Sequence, residues 1–196
     1  MNTPPTTRQA ARGFTAIELM ITVVIAAILL SIGIPSFRSL IDNQRMTTAV
    51  NDLYAAILLA RAEAVQRGGR VDLAPLDGAD WTKGYAVFVE TKATKTQVPD
   101  FSQDTIVYST GPVADGITIS TAFTDETTQY IAYNGTGRTR TNANPQQAQM
   151  GTLSFTQNGA AKKRIKLNLM GRARTCDPNS ANATEVANCT ATADGK

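Results

Sequence analysis

The alternation of apolar and polar positions divides the chain into three stretches. From Leu19 to Phe37 no side chain is charged, and that length is close to the roughly 20 apolar residues a bilayer-spanning helix needs. The first stretch is therefore predicted to be a helix that enters lipid. Beyond Pro35 the sequence SFRSLIDNQRMTTAVNDLYAAILLARAEAVQRGG keeps a helical period. Leu40, Val50, Leu53, Ile57 and Leu58 recur at three- and four-residue steps, while Arg45, Asp52, Glu63 and Arg67 fall elsewhere, so an apolar stripe should lie on a core. Pro35 removes one helical hydrogen bond and is expected to bend the helix where it leaves the membrane. Gly68 and Gly69 end it. At 1.5 Å per residue, a helix from about residue 14 to residue 67 is on the order of 80 Å long.

From Arg70 onward the pattern changes to short β-like runs bounded by Gly, Pro, Asn and Asp. Strands are predicted over Arg70–Pro75, Gly84–Glu90, Thr105–Ser109, Ile117–Ala122, Gln129–Tyr133, Thr152–Gln157 and Lys163–Met170. The fold class is thus α+β, a β head laid against the second half of the helix. The polar loops Thr91–Asp104 and Thr136–Gln149 are long and read as mobile. No internal repeat is evident, and the tail from Asp177 to Lys196 is small and polar. Tyr130 and Tyr133 face opposite ways in one strand, with at least one in the core, so no base-stacking platform is expected.

Asn158-Gly159, between two strand runs, signals a hairpin. A plain two-residue turn would set Leu153 opposite Arg164 and Phe155 opposite Lys162, mixing core and solvent faces. A three-residue loop over Asn158 to Ala160, with a Gly bulge, pairs Leu153 with Ile165. The bulged register is expected, since a slip of one residue reverses every side chain.

Composition narrows the function classes. In 196 residues with one membrane helix, roughly 130 remain for a single head domain. There is no His and there are only two Cys, which removes the usual general base, the usual zinc sites and every Cys–His nucleophile pair. The carboxylates are scattered and no nucleophile sits beside a base, so no enzyme, metal site or cofactor is expected. Charge is unevenly placed. Between Asp72 and Glu126 nine acids stand against Lys83, Lys92 and Lys95, whereas Thr127 to Cys176 holds eight bases and no acid. These are Arg138, Arg140, Lys162, Lys163, Arg164, Lys166, Arg172 and Arg174. Such a one-sign block is the electrostatic footprint of an anionic partner.

In KKRIKLNLMGRARTC, Ile165, Leu167 and Leu169 alternate with Arg164, Lys166 and Asn168, giving one apolar and one basic strand face. If the extended path persists through Gly171, Arg172 and Arg174 continue the basic face. Same-face neighbours then lie about 6.6 Å apart, close to the axial rise of two nucleotides at about 3.4 Å each. A phosphate backbone could be followed along such a ridge.

Ahead of the apolar block stands MNTPPTTRQAARG, with Arg8 and Arg12 and no acid. A secretory signal carries its apolar region before the cleavage site; here it follows the glycine, so the helix is kept. Glu18 is the one acid inside the block, and at lipid depth it costs on the order of 2.5 kcal/mol or more unless partnered. Basic leader, Gly13, Phe14, Glu18 and an apolar helix with Pro35 near its end resemble the class III leader of type IV prepilins and pseudopilins. The resemblance implies cleavage after Gly13 by prepilin peptidase, N-methylation of Phe14, and docking of Glu18 within a filament, where the α-amino group of Phe14 of a neighbouring copy is a suitable partner. Loss of Arg8 and Arg12 takes the net charge from +3 to +1. In a chain delivered beyond the inner membrane, Cys176 and Cys189 most simply form one disulfide.

Gly171-Arg172-Ala173-Arg174, followed by Cys176, resembles the C-terminal GRxR motif of the FimT minor pilins within the wider FimT/GspH pseudopilin-like family, and LLARAEAVQRGG at the helix end is also similar to that family. The family fold is a long N-terminal helix against two antiparallel sheets. The resemblance implies a minor pilin of a type IV pilus that binds DNA for natural transformation, with Arg172 and Arg174 as contacts; Lys162, Lys163, Arg164 and Lys166 are added on charge alone. The expected partners are DNA, other pilin subunits, prepilin peptidase and the inner membrane. The expected organisation is a leader over 1–13, a membrane and filament-core segment over 14–37, and a head over 38–196. Within the head, 38–69 is helix, 70–175 β-sheet and 176–196 a disulfide-tied tail. The subunit would sit in the inner membrane with its head in the periplasm, then in a surface pilus. The alternative is a structural minor pilin or type II secretion pseudopilin without DNA binding.

Overall fold

Helix α1 runs from Ala16 to Arg67. Its first turn is closed by a capping box, Thr15-x-x-Glu18. The Thr15 hydroxyl accepts from the Glu18 amide at 3.3 Å, and the Glu18 carboxylate accepts from the Thr15 amide at 3.4 Å. The computed structural model describes residues 13–91, 97–125 and 129–194, with the side chains of 33–36 set aside. The leader with Arg8 and Arg12, the bases Lys92 and Lys95, Glu126 and the side chain of Pro35 lie outside those residues.

The chain forms two units, 1–43 and 44–196. In the first, the apolar side chains of the described part of α1 are exposed, and a window of mean hydropathy 2.6 is long and apolar enough to cross a membrane. In the second, α1 buries Met46, Ala49, Val50, Leu53, Ala56, Ile57, Ala60 and Ala64. Leu58 leaves the predicted stripe, at 43% exposed, and Leu40, at 63%, lies in the first unit. Alanines take their place among the buried positions of the helix.

Among the described residues nine strands follow. They are β1 Val71–Pro75, β2 Tyr85–Val89, β3 Thr105–Ser109, β4 Ile117–Phe123, β5 Ile131–Tyr133, β6 Thr139–Arg140, β7 Gly151–Gln157, β8 Ala160–Leu167 and β9 Ala173–Cys176. One antiparallel sheet has the order β3-β2-β1-β5-β6 and the other β4-β7-β8-β9. Val71, Leu73, Val87, Ile131 and Tyr133 of the first sheet meet Ile119, Leu153, Phe155, Ile165 and Leu167 of the second over the α1 stripe. Alternation sends Ala74, Ala86, Phe88, Tyr130 and Ala132 to the opposite face of the first sheet, where they form a second small cluster. Both tyrosines are thus core residues, on opposite faces.

The β7–β8 hairpin reaches its expected register by another route. Leu153 pairs with Ile165, but Gln157 pairs with Ala160 across a two-residue Asn158-Gly159 turn in which both residues have positive φ, 53° and 75°. The slip occurs deeper, between Phe155 and Thr156, where Lys162 is the extra residue. The loops read as mobile carry their own order in their described parts. The Asp104 carboxylate accepts from the amides of Thr91 and Asp100 at 3.0 and 2.8 Å. The second loop holds β6, and buried Gln149 donates to the Tyr130 carbonyl at 3.0 Å.

Asp72, on the second face of β1, is fully buried with Arg70 Nε 2.9 Å away. Burial pushes its carboxyl up to about 6 against the pull of Arg70. Because the folded-state value lies above the ordinary one, this group's contribution to stability is full below about pH 4 and is lost as pH rises through about 6. Asp72→Asn is expected to flatten that limb of the stability curve in urea unfolding between those pH values. A slope equal to the parent's would show that Asp72 does not titrate there.

Candidate functional site

The predicted basic ridge is folded in two. Rather than continuing past Gly171, the chain turns at Asn168–Arg172 and β9 returns beside β8, placing Lys166 opposite Arg174 and Arg164 opposite Cys176. The turn is written into the sequence chemistry. The Asn168 side-chain oxygen accepts from the amides of Met170 and Arg172, each at 3.0 Å, an asparagine-closed turn. Gly171 supplies a φ of +73°. The Gly171 amide donates to the Asn168 carbonyl at 2.9 Å, and the Asn168 amide to the Arg172 carbonyl at 3.1 Å. Beneath the turn, the buried Tyr133 hydroxyl donates to the Gly171 carbonyl at 3.1 Å.

The tail lies over the strand face that was read as outward. Cys176 and Cys189 are bonded, with Cα atoms 5.8 Å apart. Between them is a short helix, α2 Ala183–Asn188, capped by the Asn182 side chain accepting from the Thr184 amide at 3.0 Å. The acids that follow the basic block, Asp177, Glu185 and Asp194, come with it. Lys163 Nζ stands 2.8 Å from the Asp177 carboxylate, and its hydrogen bond holds that carboxyl below the usual range. Lys166 is 1% exposed and donates to Thr190 Oγ1 at 2.7 Å and to the Asp194 carboxylate. Arg164 donates to Ser154 Oγ at 3.2 Å and to the Cys189 carbonyl. Arg174 donates to the Asn188 carbonyl at 2.6 Å.

Four of the six candidate contacts are therefore engaged by the tail, and Lys166 is a buried, paired ammonium instead of a surface base. A sequestered charge needs that pairing. Lys162 and Arg172 are exposed, and among the described residues no carboxylate pairs with Arg172. The missed signal was the tail acids. Their spacing shows no period, so only the disulfide could have hinted that they return to the strand.

A profile of the family described as Type II transport protein GspH matches residues 49–171. The type IV minor pilin FimU of Pseudomonas aeruginosa is similar in structure in two crystal forms. In one the TM-score is 0.54 at 17% identity, covering 72% of this chain and 96% of that one; in the other it is 0.51 at 17%, covering 70% and 97%. The minor pseudopilin EpsH of the type 2 secretion system of Vibrio cholerae aligns with a TM-score of 0.48 at 16% identity, covering 69% and 99%. Among curated proteins there is no significant match. The long helix on two antiparallel sheets is the type IV pilin fold.

Proposed function

This chain belongs to the family of the type II transport protein GspH, and from that membership we propose a minor pilin that binds DNA non-specifically, for uptake in natural transformation. Arg172 carries the reading. It is exposed at the tip of a turn fixed by Asn168 and Gly171, without a carboxylate partner among the described residues. A guanidinium fork suits phosphate oxygens, and contacts to phosphate alone carry no base information. Lys162 lies at the β8 bulge; Lys163, Arg164, Lys166 and Arg174, the last on the strand behind Arg172, leave the contact set because the tail holds them.

In the same reading residues 1–13 are removed by prepilin peptidase and Phe14 becomes the N-methylated terminus. Glu18 docks against a neighbouring subunit, and residues 14–37 hold the chain in the inner membrane, head in the periplasm, before assembly. The subunit is not an enzyme.

The test uses the full chain in detergent micelles and a short fluorescent duplex, titrated from about 50 to about 200 mM salt. Micromolar or weaker binding is expected, falling linearly on log–log axes. Arg172→Ala should lower affinity roughly tenfold at the lowest salt and the slope by about one. A variant that binds like the parent overturns the assignment. The tail's hold on the basic strand favours a second reading, a filament subunit without a DNA role. Deleting the gene separates the two, since loss of DNA uptake with normal piliation supports the first and loss of pili the second.

A further inference from the structure

The chain does contain a repeat. Asn134–Arg140, NGTGRTR, and Asn168–Arg174, NLMGRAR, share Asn-x-x-Gly-Arg-x-Arg and fold alike. In the first, the Asn134 amide donates to the Arg138 carbonyl and the Gly137 amide to the Asn134 carbonyl, both at 2.9 Å. The Asn134 side-chain oxygen accepts from the amides of Thr136 and Arg138 at 3.1 and 3.0 Å. Each bond has its counterpart in the second turn, and φ is +74° at Gly137 against +73° at Gly171. Tyr133 pairs with Thr139 as Leu167 does with Ala173, one hairpin per sheet.

The two turns lie against each other. A methyl on Gly171 would stand 2.5 Å from the Gly137 carbonyl oxygen and 3.1 Å from the Thr139 nitrogen. Arg61 of α1 ties them together, donating to the Gly137 carbonyl at 2.9 Å and to the Met170 carbonyl at 3.5 Å. The second arginine of each motif is occupied, since Arg140 donates to the Thr141 carbonyl beside the Asp72 network and Arg174 to the Asn188 carbonyl. The first of each, Arg138 and Arg172, is exposed, stands one residue from the contact between turns, and meets no carboxylate among the described residues.

We propose that Arg138 and Arg172, presented by twin asparagine–glycine turns from the two sheets, form one two-pronged site that grips neighbouring phosphates of a DNA backbone. The inference rests on the DNA-binding reading and adds Arg138 to it. Two exposed cations carried on touching turns concentrate positive potential at one place, which favours an anion there. Because the turns are locked to each other and to α1, the backbone that carries the two arginines needs no ordering on binding.

The test compares the full chain in micelles with Arg138→Gln, Arg172→Gln, the double variant and Lys83→Gln as a control, using the same duplex and salt series, each fold checked by circular dichroism. Each single arginine variant should reduce the salt slope by about one and the double variant by about two, with Lys83→Gln unchanged. Arg138→Lys should restore most of the slope. If the parent binds and Arg172→Gln weakens it while Arg138→Gln matches the parent, the two-pronged site is wrong and single-turn binding stands. If the parent does not bind DNA, both fall.

Discussion

Gly171→Ala is expected to lower the unfolding free energy by roughly 3 kcal/mol, two terms adding: about 1 kcal/mol for a side chain at positive φ and about 1–3 kcal/mol for overpacking. The added methyl would meet the Gly137 carbonyl at 2.5 Å and Tyr133 Cε1 at 2.9 Å. One neighbour is backbone and the other is a buried ring whose hydroxyl bonds this turn, so neither can simply rotate away. Gly159→Ala is the control. There φ is likewise positive, at +75°, but nothing lies within 4 Å of the added methyl, so only the term of about 1 kcal/mol applies. Urea unfolding of the two variants separates the terms, and equal losses would show that the twin turns are not tightly packed. Gly171→Ala should also weaken DNA binding with both arginines intact, because it parts the turns that present them.

Replacing both Cys176 and Cys189 by Ser is expected to cost about 3 kcal/mol, the chain-entropy figure for a short loop; the two are 13 residues apart. The second consequence has the opposite sign. Without the bridge the tail is held by Lys163–Asp177, Lys166–Asp194 and the carbonyl bonds of Arg164 and Arg174; the first pair is partly exposed and contributes little, so the buried Lys166–Asp194 pair is the main remaining ionic tie. Loosening of the tail hands Lys163, Arg164 and Arg174 to solvent. The variant should therefore melt earlier yet bind DNA more tightly, with a steeper salt slope. Thermal melting and the anisotropy titration on one preparation decide it, and weaker binding together with lower stability would refute a masking role for the tail.

The pattern of apolar positions conveys the frame because each signal is local. A charge-free run marks the lipid-competent half of α1, a period near 3.6 marks Val50, Leu53 and Ile57, and alternation sets Leu153 opposite Ile165. Where it failed, a distant part of the chain decides. Ala49, Ala56, Ala60 and Ala64 are too weakly apolar to announce a stripe, yet they are buried in the core. The polar face of β8 alternates as a solvated face does, and nothing near Lys166 in sequence reveals that Thr190 and Asp194 cap it. Gly171 supplies both a turn and a close approach where strand alternation alone suggested an extended path. The twin of its motif at Gly137 went unseen because few positions match; shared backbone bonds, rather than shared letters, make the two turns equivalent.

The sulfur bridge also changes what a protease can accomplish. The segment from Asp177 to Asn188 is a covalent ring closed by Cys176 and Cys189, so scission anywhere within it cuts the chain without detaching the strap. The residues beyond the cut stay tethered through Cys189, with Thr190 and Asp194 still seated on Lys166. Only a reducing environment would then divide the molecule into two pieces.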